Sequence, residues 1–171
     1  ETRITADTRR ICRVELDPAD AHSLPEALEA IRVADIITIG PGSLYTSLIA
    51  NLLPLEMVSA IRSSGAHKIY VQNIMTQPAE TSEMTMGNHI QAITDHVGHV
   101  LFPNVLVNTL SPSNAILRKY SEGNAHIVQA DEERVRDMGI RIVKKDLLSE
   151  SDVIRHDTDL LAEAVLLLLL A

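Results

Sequence analysis

The fold class follows from the stretch Asp35-Ile36-Ile37-Thr38-Ile39-Gly40-Pro41-Gly42, in which a β-branched run ends at a pair of glycines. The run is apolar on both faces, as strands buried inside a parallel sheet are. Two further runs of this kind occupy 68–73 and 105–108. Amphipathic segments alternate with them along the chain. This alternation predicts an α/β fold with a doubly wound, mainly parallel sheet and helices on both faces.

Periodicity and turn signals predict the remaining elements. An edge strand is expected at 10–16, and further strands are expected at 126–128 and 140–143. Helices are expected after a capping box at 23–26 and over 44–50, 55–63, 88–97, 113–121 and 131–138. Residues 75–86 lack periodicity and predict a loop, of a length at which loops usually carry function.

Composition predicts one globular domain over 1–171. The chain is 46% apolar, enough for a hydrophobic core, and 15 Lys plus Arg against 23 Asp plus Glu give a formal charge of −8. The basic residues are scattered and do not form the stripe that binds phosphate backbones. Three Tyr and one Phe are too few for base-stacking platforms. We therefore expect no nucleic-acid partner.

The two ends of the chain carry further expectations. The chain starts at Glu1 without an initiator Met or a signal segment, so we interpret it as N-terminally truncated. The leucine-rich end is shorter than the ~20 residues that span a membrane. We expect a terminal helix buried by its own domain, with cover by another chain, as in a homo-oligomer, as the alternative. Cys12 stands alone, which fits a reducing cytoplasm.

The glycine loop after the first strand is the first candidate site. Ligands of such sheets bind beyond the carboxyl ends of the strands. Gly40 and Gly42 let the backbone approach a ligand, and Ser43, Thr46 and Ser47 add hydroxyl donors at the start of a helix. These features predict a phosphate cradle. An ordinary strand-to-helix turn that needs glycine for its backbone angles remains the alternative.

A second polar segment follows the neighbouring strand. Asn73, Thr76, Gln77 and Glu80 bring amide, hydroxyl and carboxylate groups to the same predicted edge. They suit sugar hydroxyls and the edge of a base, and a solvated polar crossover is the alternative. Arg155 precedes the terminal helix, and its guanidinium predicts a contact with an anion. The alternative is that Arg155 is a surface residue paired with a neighbouring carboxylate.

The spacing of the histidines predicts no metal site. His89 and His96 lie seven residues apart, about 10 Å along a helix, which is too far to share a metal ion. Asp95 and His99 have helical i,i+4 spacing, but Gly98 lies between them and is expected to end the helix. Helix capping and solvated side chains account for these residues.

Four stretches, 39–47, 51–53, 70–81 and 153–157, resemble the YvcK/CofD-like family. The resemblance covers nearly the whole chain and corresponds to the C-terminal half of a family member. It implies a Rossmann-like nucleotide-binding domain whose glycine-rich opening and Asp-Asp-Gly region lie upstream of Glu1. Met84 stands where the family leads us to expect a Tyr that would stack on the ligand.

The resemblance also implies a function. The residues of these stretches most resemble those of the gluconeogenesis-factor branch. Members of that branch are cytoplasmic regulators that bind UDP-sugars and support cell shape and wall synthesis during gluconeogenic growth. No turnover and no cofactor are expected for that branch. The alternative is the branch that transfers 2-phospho-L-lactate onto a deazaflavin precursor, which needs Mg²⁺ and an upstream Asp.

The site residues implied for a nucleotide-sugar ligand have three roles. Backbone N–H groups of the glycine loop would hold phosphate, Tyr45 would form a wall, and the amides and hydroxyls after the second strand would contact polar ligand edges. Arg155 would pair with an anion. The full set is Gly40, Gly42, Ser43, Leu44, Tyr45, Thr46, Ser47, Asn73, Thr76, Gln77, Glu80 and Arg155.

Overall fold

Four parallel strands form the central sheet of the computed structural model, which describes residues 9–170. They are β1 (Ile36–Ile39), β2 (His67–Val71), β3 (Asn104–Asn108) and β4 (Arg141–Lys145), and they pair in chain order. Ile39 lies opposite Tyr70, and Val71 lies opposite Leu106. The mainly parallel α/β fold is confirmed, with the predicted strands at 35–39, 68–73, 105–108 and 140–143 displaced by at most two residues at their ends.

The helices connect these strands. They are α1 (Pro25–Val33), a π-helix (Leu44–Ile49) that continues as α2 (Ala50–Leu52), α3 (Leu55–Ser63), α4 (Met86–Val97), α5 (Asn114–Glu122), α6 (Glu132–Asp137) and α7 (Thr158–Leu169). Every predicted helix is present. Between α2 and α3 lies Pro54, which has no N–H to continue the helix.

The sheet buries both of its faces, because successive residues of a strand point to opposite sides. On one face Tyr70 and Val105 belong to the larger core cluster, together with residues of α3, α4 and α6. On the other face Ile69 and Leu106 pack against α7 through Ala164. The predicted arrangement of helices on both faces is therefore confirmed.

Two predicted strands are wrong. Residues 10–16 form no ladder; the N–H of Val14 instead donates to Nε2 of His96, so this segment lies against α4. Residues 126–128 make a single antiparallel bridge, between Met75 and Ile127. Apolar residues are present in both segments, but neither segment pairs with a strand of the four-stranded sheet.

The predicted capping box at 23–26 is also wrong. The helix begins one residue later than predicted, with Leu24 at the N-cap and Pro25 as its first residue, and no side chain caps it. The backbone N–H of Ser23 donates to the carboxylate of Glu56 at 2.9 Å. Proline at the first helical position has no N–H to leave unpaired, so the helix begins there without a cap.

A hairpin that the sequence did not predict follows the sheet. Strands β5 (Leu148–Glu150) and β6 (Ile154–His156) pair antiparallel, with Ser149 opposite Arg155. The hairpin leads directly into α7, where Asp157 is the N-cap and its side chain accepts hydrogen bonds from two backbone N–H groups. Arg155 thus lies on a short paired strand.

The terminal helix differs from the expectation that its own domain buries it. Within α7 only Ala164 is buried, and Leu166, Leu167 and Leu170 at its outer side are 57%, 46% and 82% exposed. Only a narrow stripe of α7 packs against the sheet. Because the chain has five consecutive leucines there, some of them necessarily lie on the opposite side of the helix.

No single helix within residues 9–170 is long and apolar enough to cross a membrane. One pair of helices, Leu44–Leu52 with Leu55–Ser63, reaches the length and composition only as two parts bent by 76°.

A buried histidine lies at the start of α4. Thr85 and Asn88 cap this helix reciprocally, and His89 directly below them is fully buried. Its Nδ1 donates to the carbonyl oxygen of Thr85 at 2.9 Å. Burial lowers the pKa of His89, with the Thr85 hydrogen bond and nearby Asp131 opposing that shift.

The stability of the fold should therefore fall on acidification. A histidine whose pKa is lowered by folding binds fewer protons folded than unfolded, so its contribution is present above the unfolded pKa of about 6.5 and is lost as the pH falls below it. The slope for one proton is at most about 1.4 kcal/mol per pH unit. We expect His89→Asn to have a shallower pH dependence of unfolding free energy than the wild type between pH 7 and 5.

The matched control is His67→Asn, because His67 is exposed. The pH dependence of its unfolding free energy, measured by urea titration at each pH, should equal that of the wild type. Equal slopes for His89→Asn and the wild type would contradict the assignment of this pH dependence to His89.

Candidate functional site

Glycine is required where β1 ends. Gly40 has a φ of +88°, and a Cβ placed on it would lie 2.8 Å from the carbonyl oxygen of Val71 on the neighbouring strand. Gly42 does not have a positive φ, although a Cβ there would lie 3.2 Å from Leu48. The turn therefore depends on Gly40 for its conformation and on both glycines for space.

Asn73 fixes the glycine loop to the end of β2. Its Oδ1 accepts from the N–H of Gly42 at 3.2 Å, and its Nδ2 donates to the carbonyl oxygen of Gly42 at 2.8 Å. Gln77 adds a hydrogen bond of 2.7 Å from its Nε2 to Oγ of Ser43. The ends of β1 and β2 thus meet at one edge, as predicted. Both amides are engaged in shaping the loop.

Two other predicted residues hold the segment after β2. Glu80 is only 8% exposed, and its Oε1 accepts from the backbone N–H of Thr46 at 3.2 Å and from its hydroxyl at 2.9 Å. Thr76 is 4% exposed and accepts from the N–H of His126 at 2.9 Å. These contacts tie the loop after β2 to the π-helix and to residues 126–128.

Three other residues singled out from the sequence are buried, and a fourth, Ser47, lies beside Gly42, with its Cβ 3.6 Å from the position that a Cβ on Gly42 would take. Leu44 is fully buried, and Tyr45 lies in the core edge-on to His96 with ring centroids 6.0 Å apart, where burial raises the pKa of its hydroxyl. Ser47 is exposed on the π-helix, its carbonyl accepting from Asn51. Met84 is buried beside a separate pocket of about 320 Å³. An aromatic side chain at 45 or 84 would not reach the space beside the glycine loop.

An open groove of about 720 Å³ passes the glycine loop. Gly42 and Ser43 lie on one side of it, and Arg155 and His156 of β6 lie on the other. Arg155 is exposed, and its guanidinium has no hydrogen-bond or ion-pair partner within residues 9–170. The groove thus brings the predicted phosphate loop and the predicted cation to one cavity.

His156 completes this wall of the groove as a neutral side chain. Burial lowers its pKa, and a hydrogen bond to the backbone of Gln72 partly opposes that shift. The carboxylate of Asp157 already accepts from the first N–H groups of α7. These N–H groups at the start of α7 are therefore not available to a ligand anion, and Arg155 is the charged group that lines the groove.

Several residues of the groove were not predicted from the sequence. The structure adds Pro41, Ile74, Met75, Ile154, Thr158 and Leu161 to the lining. The sequence could have indicated Pro41, Ile74 and Met75 only because they are neighbours in the chain of predicted site residues. Ile154 and Leu161 depend on the hairpin, which the sequence did not reveal.

Metal-ligating side chains do not cluster in the described part of the chain. No three His, Cys, Asp or Glu side chains converge there. Nδ1 of His89 and Nδ1 of His96 each donate to the carbonyl oxygen four residues earlier in the chain, those of Thr85 and Ala92. Both rings are therefore hydrogen-bonded to the backbone at α4.

Comparison with known proteins identifies the family. The family model described as 2-phospho-L-lactate transferase CofD matches residues 1–148. The chain belongs to the CofD/YvcK family. Within it, the chain is 41% identical over 167 residues to a gluconeogenesis factor of Halalkalibacterium halodurans, covering 97% of this chain and 52% of that protein. A gluconeogenesis factor of Bacillus subtilis is 39% identical over 170 residues, covering 99% and 54%.

A solved structure supports the same assignment. A crystal structure of a UPF0052 family protein from Bacillus halodurans aligns with a TM-score of 0.93 at 41% identity, covering 96% of this chain and 53% of that one. The chain therefore spans about half the length of the relatives it matches.

The glycine turn of this CofD/YvcK family chain gives a stability test. Gly40→Ala should destabilise the protein by about 2 kcal/mol or more, because it adds a clash with the Val71 carbonyl to the cost of a left-handed backbone. Gly98 has a φ of +85°, and no atom lies within 4 Å of the position that a Cβ would take. Gly98→Ala therefore carries only the backbone cost, about 1 kcal/mol. Urea unfolding measures both, and equal losses would contradict the close approach at Gly40.

Proposed function

We propose that this chain is the C-terminal half of a cytoplasmic regulatory protein that binds a nucleotide sugar, of the gluconeogenesis-factor type. The observation that carries the proposal is the groove, because it brings Gly42, Ser43 and Arg155 to one cavity. The relatives named gluconeogenesis factor support the same branch. The family resemblance adds a role in cell shape and wall synthesis during growth on gluconeogenic carbon sources.

The chemistry of the groove suits a ligand that carries phosphate. The overall charge of −8 repels anions, so an anion needs a local cation and oriented donors. Arg155 offers a planar guanidinium that can form two parallel hydrogen bonds to one phosphate. N–H groups in the first turn of a helix have no partner within the helix, so the turn after Ser43 offers donors to an anion, except for the N–H of Thr46, which is already donated to Glu80.

The binding role needs no reacting group from this chain. Asn73 and Gln77 hold the loop in a set conformation, so the ligand meets donors that are already oriented. Such preorganisation raises affinity by removing the entropy cost of ordering the loop. We therefore propose binding without turnover.

The transferase branch is the second candidate, and the family model's description favours it. That chemistry uses Mg²⁺, and residues 9–170 contain no cluster of three acidic or histidine side chains to hold the ion by themselves. An upstream Asp would have to complete the site. A thermal-shift comparison separates the candidates: stabilisation by UDP-glucose supports the regulator, and stabilisation by GDP and a deazaflavin instead supports the transferase.

Arg155 gives the sharpest test of the proposed binding function. Arg155→Lys should weaken UDP-glucose binding by about 1 to 3 kcal/mol, because an ammonium group cannot form the two parallel hydrogen bonds. Arg155→Ala should weaken it further and leave the Tm of the ligand-free protein unchanged, since the guanidinium has no described partner.

The control is Arg141→Ala, an exposed arginine at the first residue of β4 and hence at the opposite end of the sheet. Its affinity in isothermal titration calorimetry should equal the wild type. Wild-type affinity in Arg155→Ala, or equal losses in both alanine variants, would remove Arg155 from the site.

A further inference from the structure

A second, smaller pocket adjoins the groove at the carboxyl ends of β2 and β3. We call it the Gln72 slot; its volume is about 100 Å³. Asn73 and Ile74 line both the slot and the groove, so the two cavities share a wall. The other residues that line the slot are Gln72, Met86, Val107, Asn108, Thr109, Leu110, Ser111, Ile127, Val128 and Ala130.

Gln72 has an acceptor that the protein leaves unused. The residue is 3% exposed, and its Oε1 is buried without a hydrogen-bond partner. Its Nε2 donates to the carbonyl oxygen of Asn73 at 3.4 Å, which sets the orientation of the amide. Its backbone N–H donates to Leu106, and its backbone also bonds to the ring of His156. These backbone bonds fix the position of the residue at the end of β2, and the bond to Asn73 orients its side chain.

Apart from the exposed Ser111, the other polar side chains of the slot are already engaged. Asn108 accepts from the N–H groups of Leu110 and Leu147 and donates to the carbonyl of Leu110. Thr109 bonds to Asp146, and Asn73 bonds to Gly42. Because buried acceptors in native proteins are nearly always paired, the unused Oε1 points to a missing donor.

The shape of the slot limits what that donor belongs to. Its walls are mainly aliphatic side chains and Met86, and no charged residue lines it. About 100 Å³ equals the liquid volume of roughly three waters, which is enough for the edge of one six-membered ring. The surroundings suit a flat, uncharged ring with an N–H group on its edge.

We propose that the Gln72 slot takes the single-ring base of the ligand, with Oε1 of Gln72 accepting a hydrogen bond from a ring N–H. This inference rests on the proposed function, because the phosphates of the same ligand would lie in the groove between Ser43 and Arg155. It assigns base selection to a residue after β2 and phosphate binding to residues after β1 and in β6. A pyrimidine with a protonated ring nitrogen, such as uracil, meets the requirement.

The test measures UDP and 3-methyl-UDP binding by isothermal titration calorimetry. The methyl group removes the ring N–H and keeps the ring and phosphates. The wild type should bind UDP about tenfold more tightly than 3-methyl-UDP, as expected for one buried hydrogen bond. Gln72→Met keeps the bulk and removes the acceptor, so it should lose about tenfold for UDP. Gln72→Ala also makes room for the methyl group and should bind both ligands equally.

Two controls separate binding from structure. Gln91→Met makes the same change on α4, outside the slot, and should keep wild-type affinity. Gln72→Met should change the Tm of the ligand-free protein little, because it removes no hydrogen bond to Oε1 and only the long bond of 3.4 Å from Nε2 to Asn73. A clearly lowered Tm with loss for both ligands alike would show a structural glutamine and overturn the proposal. Wild-type UDP affinity in Gln72→Met also overturns it. Absence of UDP binding by the wild type overturns the proposed function itself.

Discussion

The pair of hydrogen bonds between Asn73 and the backbone of Gly42 is the interaction on which the rest of the site depends. It joins the ends of β1 and β2. Both polar atoms of the Asn73 amide are used, one on the N–H and one on the carbonyl oxygen of Gly42. Gln77 continues the contact to Ser43. These bonds fix the loop that lines the groove together with β6. A loop without them would have to be ordered by the ligand at a cost in entropy.

The sheet could be predicted from the sequence because its signals are local. The β-branched run at 36–39 and the glycines after it appear in the chain itself, and parallel strands place their carboxyl ends at one edge. The segments 10–16 and 126–128 carried comparable local signals and form no strand. A strand also needs a partner edge, and whether one is free is decided by the whole fold. The same limit hid the β5–β6 hairpin, although its residues were noticed for their chemistry.

The site was predictable by position but not by role. Asn73 and Gln77 were expected to contact the ligand, and the structure gives both of them backbone or hydroxyl partners thirty or more residues away. Such partners leave no trace in local sequence. Tyr45 was expected to form a wall and lies in the core, because the π-helix turns its ring toward His96. Gln72 was counted only as a strand residue, since an unused acceptor is visible only once every other partner has been assigned.

The proposed site requires that one ligand occupies the edge formed by the ends of β1 and β2 and by β6. The most direct measurement is a map of backbone amide chemical shifts in the 171-residue chain during titration with UDP-glucose. We expect the largest changes to cluster at 42–44, 72–77 and 154–158. Changes centred instead on the pocket beside Met84, with those three segments unmoved, would contradict it.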